Sequence, residues 1–120
     1  MKTDFDVIVV GAGPGGTAAA YRLRRHGYKV LMLDRQTFPR VKPCGGGISI
    51  KALKLMPWSI GPVIERAVKK LGMGVKTRLD EKFEVFDADG YVCTFAVREE
   101  FDRLNFEKTI EAGVEFEHTT

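Results

Sequence analysis

Cysteine is scarce in this chain. Its two thiols, Cys44 and Cys93, lie far apart and form no C-x-x-C pair. That spacing argues against a structural zinc site and implies no disulfide framework. Long apolar runs are missing too: none comes near the about 20 residues that a spanning helix needs. The apolar stretch Val7 to Val10 follows two acids, runs straight into glycines and has no small-residue cleavage site. A signal peptide is therefore not expected, and a cytoplasmic protein is. Charge of one sign is also in short supply, with a net +3. Arg22, Arg24 and Arg25 cluster, but as the solvated face of a helix. No basic stripe interleaved with aromatics appears, so nucleic acid is not an expected partner. Internal repeats and low-complexity segments are absent. With 44% hydrophobic and 29% charged residues, the 120-residue chain has the composition of a folded domain, not of a disordered segment.

Punctuation by glycine divides the rest. Phe5 to Val10 is a short β-rich run, the pattern of a strand buried on both faces. An alanine-rich segment, Thr17 to His26, predicts a helix that stops at Gly27. Lys29 to Leu33 predicts a second strand, ended by Asp34. Strand, glycine turn, helix and strand make a right-handed βαβ unit. Gln36 to Ile48 holds two prolines and three consecutive glycines and reads as a loop. Ser49 suits the cap of a short helix that stops before Pro57. Val63 to Leu71 predicts another helix, stopped by Gly72 and Gly74. Phe83 to Phe86 and Tyr91 to Val97 predict a hairpin, joined by Asp87-Ala88-Asp89-Gly90 with its Asp-Gly turn signal. From Glu99 to Glu111 the pattern is helical, with Phe101, Leu104 and Ile110 on one face. Gly113 ends that helix, and Val114 to Phe116 begin a third parallel strand.

Gly11-Ala12-Gly13-Pro14-Gly15-Gly16 fits G-x-G-x-x-G. Alone the pattern is weak. Here it follows a predicted strand and opens a predicted helix. Asp34 closes the next strand 18 residues after Gly16, near the expected spacing of about 20. Gly11 permits the tight turn, Gly13 lets a pyrophosphate approach the backbone, and Gly16 lets helix and strand pack closely. Unpaired N–H groups and the positive helix end face the anion, and Pro14 suits a first turn that needs no N–H. Asp34 can accept both hydroxyls of an adenosine ribose. Arg35 could meet the extra phosphate of NADP, but the acid before it opposes that. The competing reading is a glycine turn without a ligand. The fingerprint itself does not separate FAD from NAD.

Two further stretches narrow the choice by resemblance. The glycine run near the amino terminus resembles the start of FAD-dependent oxidoreductases of the p-hydroxybenzoate hydroxylase type. Phe38-Pro39-Arg40-Val41-Lys42-Pro43-Cys44-Gly45-Gly46-Gly47-Ile48-Ser49 is similar to the signature of the geranylgeranyl reductase family. Val97-Arg98-Glu99-Glu100-Phe101-Asp102-Arg103-Leu104 resembles that group's V-x-R-x-x-F-D-x-x-L stretch. The resemblance implies an α/β, Rossmann-like FAD-binding βαβ unit with an inserted β-hairpin and an incomplete parallel sheet. The expected layout is a partial FAD-binding domain over 1–120. It comprises a βαβ unit at 5–34, a loop and helices at 35–75, a hairpin at 82–97, and a helix with a third parallel strand at 98–117. On this reading the family's substrate domain is not expected within 1–120.

Family enzymes reduce isoprenoid double bonds with reduced FAD. The resemblance thus implies an isoprenoid substrate, a reductant such as NAD(P)H, and peripheral membrane contact through a lipid substrate. It places Cys44 and Gly45 to Gly47 near the isoalloxazine ring, with Cys44 the candidate catalytic residue and Gly45 and Gly46 candidate cofactor contacts. It places Arg98 near the ribityl-pyrophosphate portion. Gly11, Gly13, Pro14, Gly15, Gly16, Asp34 and Arg35 complete the candidate cofactor site; no metal site is expected. From the residues alone, Cys44 is equally a structural thiol in a turn. Arg98 is equally a surface charge paired with Glu99 or Asp102, though its place at a helix start favours an anionic partner. A flavin monooxygenase or halogenase, and a non-catalytic nucleotide-binding module or inactive fragment, are the competing functions.

Overall fold

The computed structural model describes residues 4–119. In chain order the elements are β1 (Val7–Val10), α1 (Pro14–Arg25), β2 (Val30–Asp34), β3 (Gly47–Ser49) and α2 (Ile50–Leu55). A 3-10 turn at Gly61–Val63 follows, then β4 (Ile64–Val68), β5 (Lys70–Lys76), β6 (Glu81–Asp87), β7 (Cys93–Ala96), α3 (Arg98–Glu111) and β8 (Glu115–His118). They form two compact units, so the single expected domain is divided. One unit runs through Pro43 and resumes at Arg98; the other is Cys44–Val97.

The first unit holds the parallel sheet, in the order β1-β2-β8. Val7 pairs with Val30, and Leu31 with Glu115. Its core is Ala12, Ala20, Val30, Met32 and Val114, joined by Val7, Val9, Leu23, Phe38, Phe106 and Phe116. β1 differs from expectation. Val7 and Val9 pack inward, while Ile8 is 57% and Val10 82% exposed. Apolar residues on both faces had suggested two-sided burial, but the described helices cover only one face of this strand.

α1 starts earlier than its alanines suggest. Pro14 occupies its first turn, inside the glycine run, where a missing N–H costs nothing. Arg22, Arg24 and Arg25 sit in its last turn, at the negative end of the helix dipole. Gly27, at φ +91°, turns the chain out. α1 packs on α3, where the buried Thr109 Oγ1 donates to Thr17 O at 3.3 Å. The buried face of α3 is largely polar: Phe101 is buried, but so are Asp102, Asn105 and Thr109. Ile110, expected inside, is exposed. Helical spacing located the helix, but its partners chose the face.

In the second unit, β7 lies between β3 and β4 in an antiparallel sheet, and β5 pairs with β6 as a separate ribbon. Ser49 caps α2 as expected, its Oγ accepting from Ala52 N–H at 3.2 Å. The predicted helix at 63–71 is instead the 3-10 turn, β4 and the start of β5. Val63, Ile64 and Val68 are β-branched, and pairing Ala67 with Thr94 and Val68 with Cys93 decides for strand. The predicted hairpin at 82–97 is also re-paired. β6 joins β5, with Gly74 opposite Phe83, and β7 joins β3 and β4. An inserted hairpin is present, but its turn is at 77–80. There Thr77 N–H donates to Asp80 O at 2.7 Å, and Thr77 Oγ1 accepts from Asp80 N–H at 3.0 Å. Gly72 and Gly74 are not helix stops. A Cβ on them would lie 2.6 and 3.1 Å from the Phe83 ring, which covers both.

Candidate dinucleotide site

The glycine turn is built from three constraints. Gly11 takes φ +102°, where a side chain is strained, and its N–H donates to Leu33 O at 2.7 Å. Gly16 packs against that same residue: a Cβ there would collide with the Gly11 carbonyl oxygen. Gly13 precedes α1 with no side-chain cap, so the first turn keeps its backbone donors unclaimed by a side chain. Gly15 faces open space. The helix end is thus held tightly against the strand end while its N–H groups stay reachable by an anion.

Asp34 sits at the end of β2, half-buried. Its Oδ2 accepts from Ala12 N–H at 2.7 Å and its Oδ1 from Gln36 N–H at 2.9 Å. The acid therefore ties the glycine turn to β2. Each carboxylate oxygen keeps a second acceptor site, which leaves the ribose role open. Val10, Gly11, Leu33, Asp34, Arg35 and Thr119 line a cleft of about 400 Å³. It lies beyond the carboxyl ends of β1 and β2, where open α/β sheets take their ligands. Arg35 is exposed, and its carbonyl oxygen lies 2.9 Å from His118 Nε2.

Arg98 opens α3 and grips Asp102, with Nε–Oδ1 at 2.9 Å and Nη2–Oδ2 at 3.0 Å. Of the two expected partners it takes Asp102. On the exposed side of the same helix, the hydrogen bonds that Arg103 donates to Glu100, then Glu107, hold it above its ordinary pKa, and it remains a cation throughout. Sequence reasoning gave Arg40 no role: it stood in a loop and within the stretch similar to the geranylgeranyl reductase signature. Its Nη2 lies 3.1 Å from Asp102 Oδ2 and 3.5 Å from where a Gly13 Cβ would stand. The available signal was a lone cation in the otherwise uncharged run from Gln36 to Val41.

Cys44, Gly45 and Gly46 belong to the second unit. Cys44 is exposed and not in a disulfide; its Sγ accepts from Gly46 N–H at 3.4 Å. Gly46 takes φ +69°, and its carbonyl accepts from Ala96 N–H at 3.0 Å. A Cβ there would collide with the Ala96 carbonyl oxygen, so Gly46 is required by its own sheet. Gly45 is exposed with open space beside it.

A parallel sheet, a glycine turn into a helix, a strand-end acid and a cleft at the strand ends define a dinucleotide-binding domain of Rossmann-like fold. The family model for pyridine nucleotide-disulphide oxidoreductases matches residues 5–113, and the chain belongs to that family. A digeranylgeranylglycerophospholipid reductase from Methanopyrus kandleri is 40% identical over 95% of this chain and 29% of its own length. A menaquinone reductase from Mycobacterium tuberculosis is 42% identical over 62% of this chain and 20% of its own. Among solved structures, a geranylgeranyl bacteriochlorophyll reductase-like protein from Thermoplasma acidophilum superposes with a TM-score of 0.73 at 28% identity. That match covers 93% of this chain and 29% of the other. The chain thus spans less than a third of these relatives.

Proposed function

We propose that this chain is the cofactor-holding part of an FAD-dependent reductase of the geranylgeranyl reductase type, acting on isoprenoid double bonds. The observation that carries the reading is Asp34 bonded to the glycine turn at the mouth of the cleft. This arrangement suits an adenosine ribose beside a pyrophosphate. The likeness to reductases with isoprenoid names supports the substrate class. Gly11, Gly13, Pro14, Gly15 and Gly16 would hold the pyrophosphate, and Asp34 the ribose. Arg35 flanks the adenosine side. Arg98 serves the ribityl-pyrophosphate portion, and Cys44, Gly45 and Gly46 serve the ring. When bound and reduced, FAD supplies the hydride for one alkene carbon while a proton reaches the other.

NAD(P)H is the proposed reductant, the cytoplasm the proposed location, and peripheral contact with a membrane the route to a lipid substrate. Among the described residues, no helix is long and apolar enough to cross a membrane. Calorimetry of the purified chain with FAD, NAD and NADP tests the cofactor. Tightest binding of FAD supports the reading; preference for NAD or NADP refutes it. Mass spectrometry of an isoprenoid lipid incubated with the gene's full product and reduced FAD tests the reaction. A gain of two hydrogens per double bond is expected. Oxygen-dependent hydroxylation or halogenation would move the assignment to the flavin monooxygenases or halogenases.

A further inference from the structure

One carboxylate organises the polar interior of the first unit. Asp102 is wholly buried and bound by two guanidinium groups, Arg98 through two contacts and Arg40 through one. Both arginine side chains are shielded, at 17% and 8% exposure. Two guanidinium groups thus share this one carboxylate in a poorly hydrated place, where every buried charge and donor is costly unless something compensates it. Arg40 shows where compensation is missing. Its Nε and Nη1 are buried and have no hydrogen-bond partner among the described residues. Buried donors of this kind are rare, and each calls for a reason.

The surroundings of Arg40 supply one. Its Nη2 faces Gly13, the uncapped residue before the 12-residue helix α1. The Phe38 ring lies 5.0 Å from its Cζ, and Phe38 stacks on Phe106 at 4.7 Å, which anchors the loop carrying Arg40. A guanidinium with two further donors unused, a positive helix end and a glycine without a side chain thus adjoin one another. All three favour an anion.

We propose that Arg40 is a binding residue for the pyrophosphate of the dinucleotide, and that Asp102 is the positioning residue that holds it beside the glycine turn. The proposal rests on the reading of that turn as a dinucleotide site. The arriving phosphate takes the unused donors by rotation of the Arg40 side chain, while Asp102 retains Arg98. An alternative role, a purely structural clasp between loop and α3, differs in a measurable sign. Removing a clasp destabilises the protein. Removing Arg40 as proposed also removes a buried charge and the orphaned donors, and leaves Asp102 its two contacts to Arg98.

The test uses the full chain as wild type, R40M, R40K and D102N. Calorimetry measures FAD, ADP and adenosine at several salt concentrations, and melting is measured without ligand. For R40M the expected result is a Kd for FAD and ADP raised at least about tenfold, the loss of one charged hydrogen-bonding group. Adenosine affinity stays unchanged, the salt dependence of ADP binding flattens, and the melting temperature does not fall. R40K recovers part of the ADP affinity. It keeps charge and stem without the forked donors, and carries the comparison if R40M does not fold. D102N weakens ADP binding although it adds positive charge, because the arginines lose their orientation. Equal ADP affinity in wild type and R40M overturns this proposal alone. So does a lowered melting point with equal losses for ADP and adenosine. A wild-type chain that binds neither FAD nor ADP overturns the reading of the turn as well.

Discussion

Gly15 and Gly16 are chemically identical neighbours, and replacing each by alanine should have opposite effects. Gly15 lies in α1 with ordinary backbone angles, and a Cβ there meets nothing within 4 Å. Alanine at that position lowers the entropy of the unfolded chain and raises helix propensity, a gain of up to about 1 kcal/mol. A Cβ on Gly16 runs into the carbonyl oxygen of Gly11. Gly11 cannot retreat cheaply. Its N–H is bonded to Leu33 O at 2.7 Å, and its neighbour Ala12 donates to Asp34 at 2.7 Å. Overpacking against fixed backbone costs about 3 kcal/mol. The two variants should therefore differ by roughly 3–4 kcal/mol, a gap well over 10 °C in melting for a unit of this size. Far-UV circular dichroism reports it, because α1 and α3, with 12 and 14 residues, both belong to the first unit. Trp58 lies in the second unit, so its fluorescence follows that unit separately. If G16A melts together with G15A, the close approach of helix and strand is wrong.

Three other outcomes are expected. G13D sets a carboxylate beside Arg40 and the pyrophosphate path, so it should abolish FAD uptake without unfolding the chain; retained flavin absorbance in the purified variant would reject the site. D34A should weaken FAD binding by about 1–3 kcal/mol. D34N should be milder, yet not neutral, since an amide oxygen can replace only one of the two acceptors used by Ala12 and Gln36; FAD titrations indistinguishable from wild type for both would remove Asp34 from the site. β1 pairs only with β2 among the described residues, exposes Ile8 and Val10, and carries no lysine or proline. The isolated chain should therefore self-associate, and I8K should reduce this in light scattering; a monodisperse wild-type monomer would contradict the argument.

The first unit was largely legible because its signals are local. Gly11 to Gly16 encode a turn, Pro14 a helix start, and Asp34 a strand end at the right spacing, so strand, helix and acid needed no knowledge of distant residues. The second unit was misread where two local signals competed. Asp89-Gly90 advertises a hairpin turn more strongly than Thr77 and Asp80 do. The Thr77 turn nevertheless closes the ribbon, because β5 and β6 align seven residue pairs, with ion pairs at Lys70–Asp87 and Lys76–Glu81. Gly72 and Gly74 signal a break when seen alone; only the pairing shows that they make room for Phe83.

The face of α3 poses a different problem. Asp102, Asn105 and Thr109 recur at helical spacing, and three polar residues so placed ordinarily mark the wet side of a helix. Their burial depends on residues remote in sequence: Arg40 for Asp102, and Thr17 for Thr109. No window of one helix contains that information. A buried polar stripe must be matched group by group, because each unmatched donor costs more than a lost apolar contact of similar size. Thr109 is matched within the fold, by Asn105 O at 2.7 Å and Thr17 O. Asp102 is matched too, but by two guanidinium groups at once. One of them, Arg40, lies beside Gly13, where the glycine turn already concentrates the positive end of α1. The local fingerprint and the long-range buried cluster thus converge on one anion position. The first is visible in the sequence, and the second only once α3 has folded back on the loop that carries Arg40.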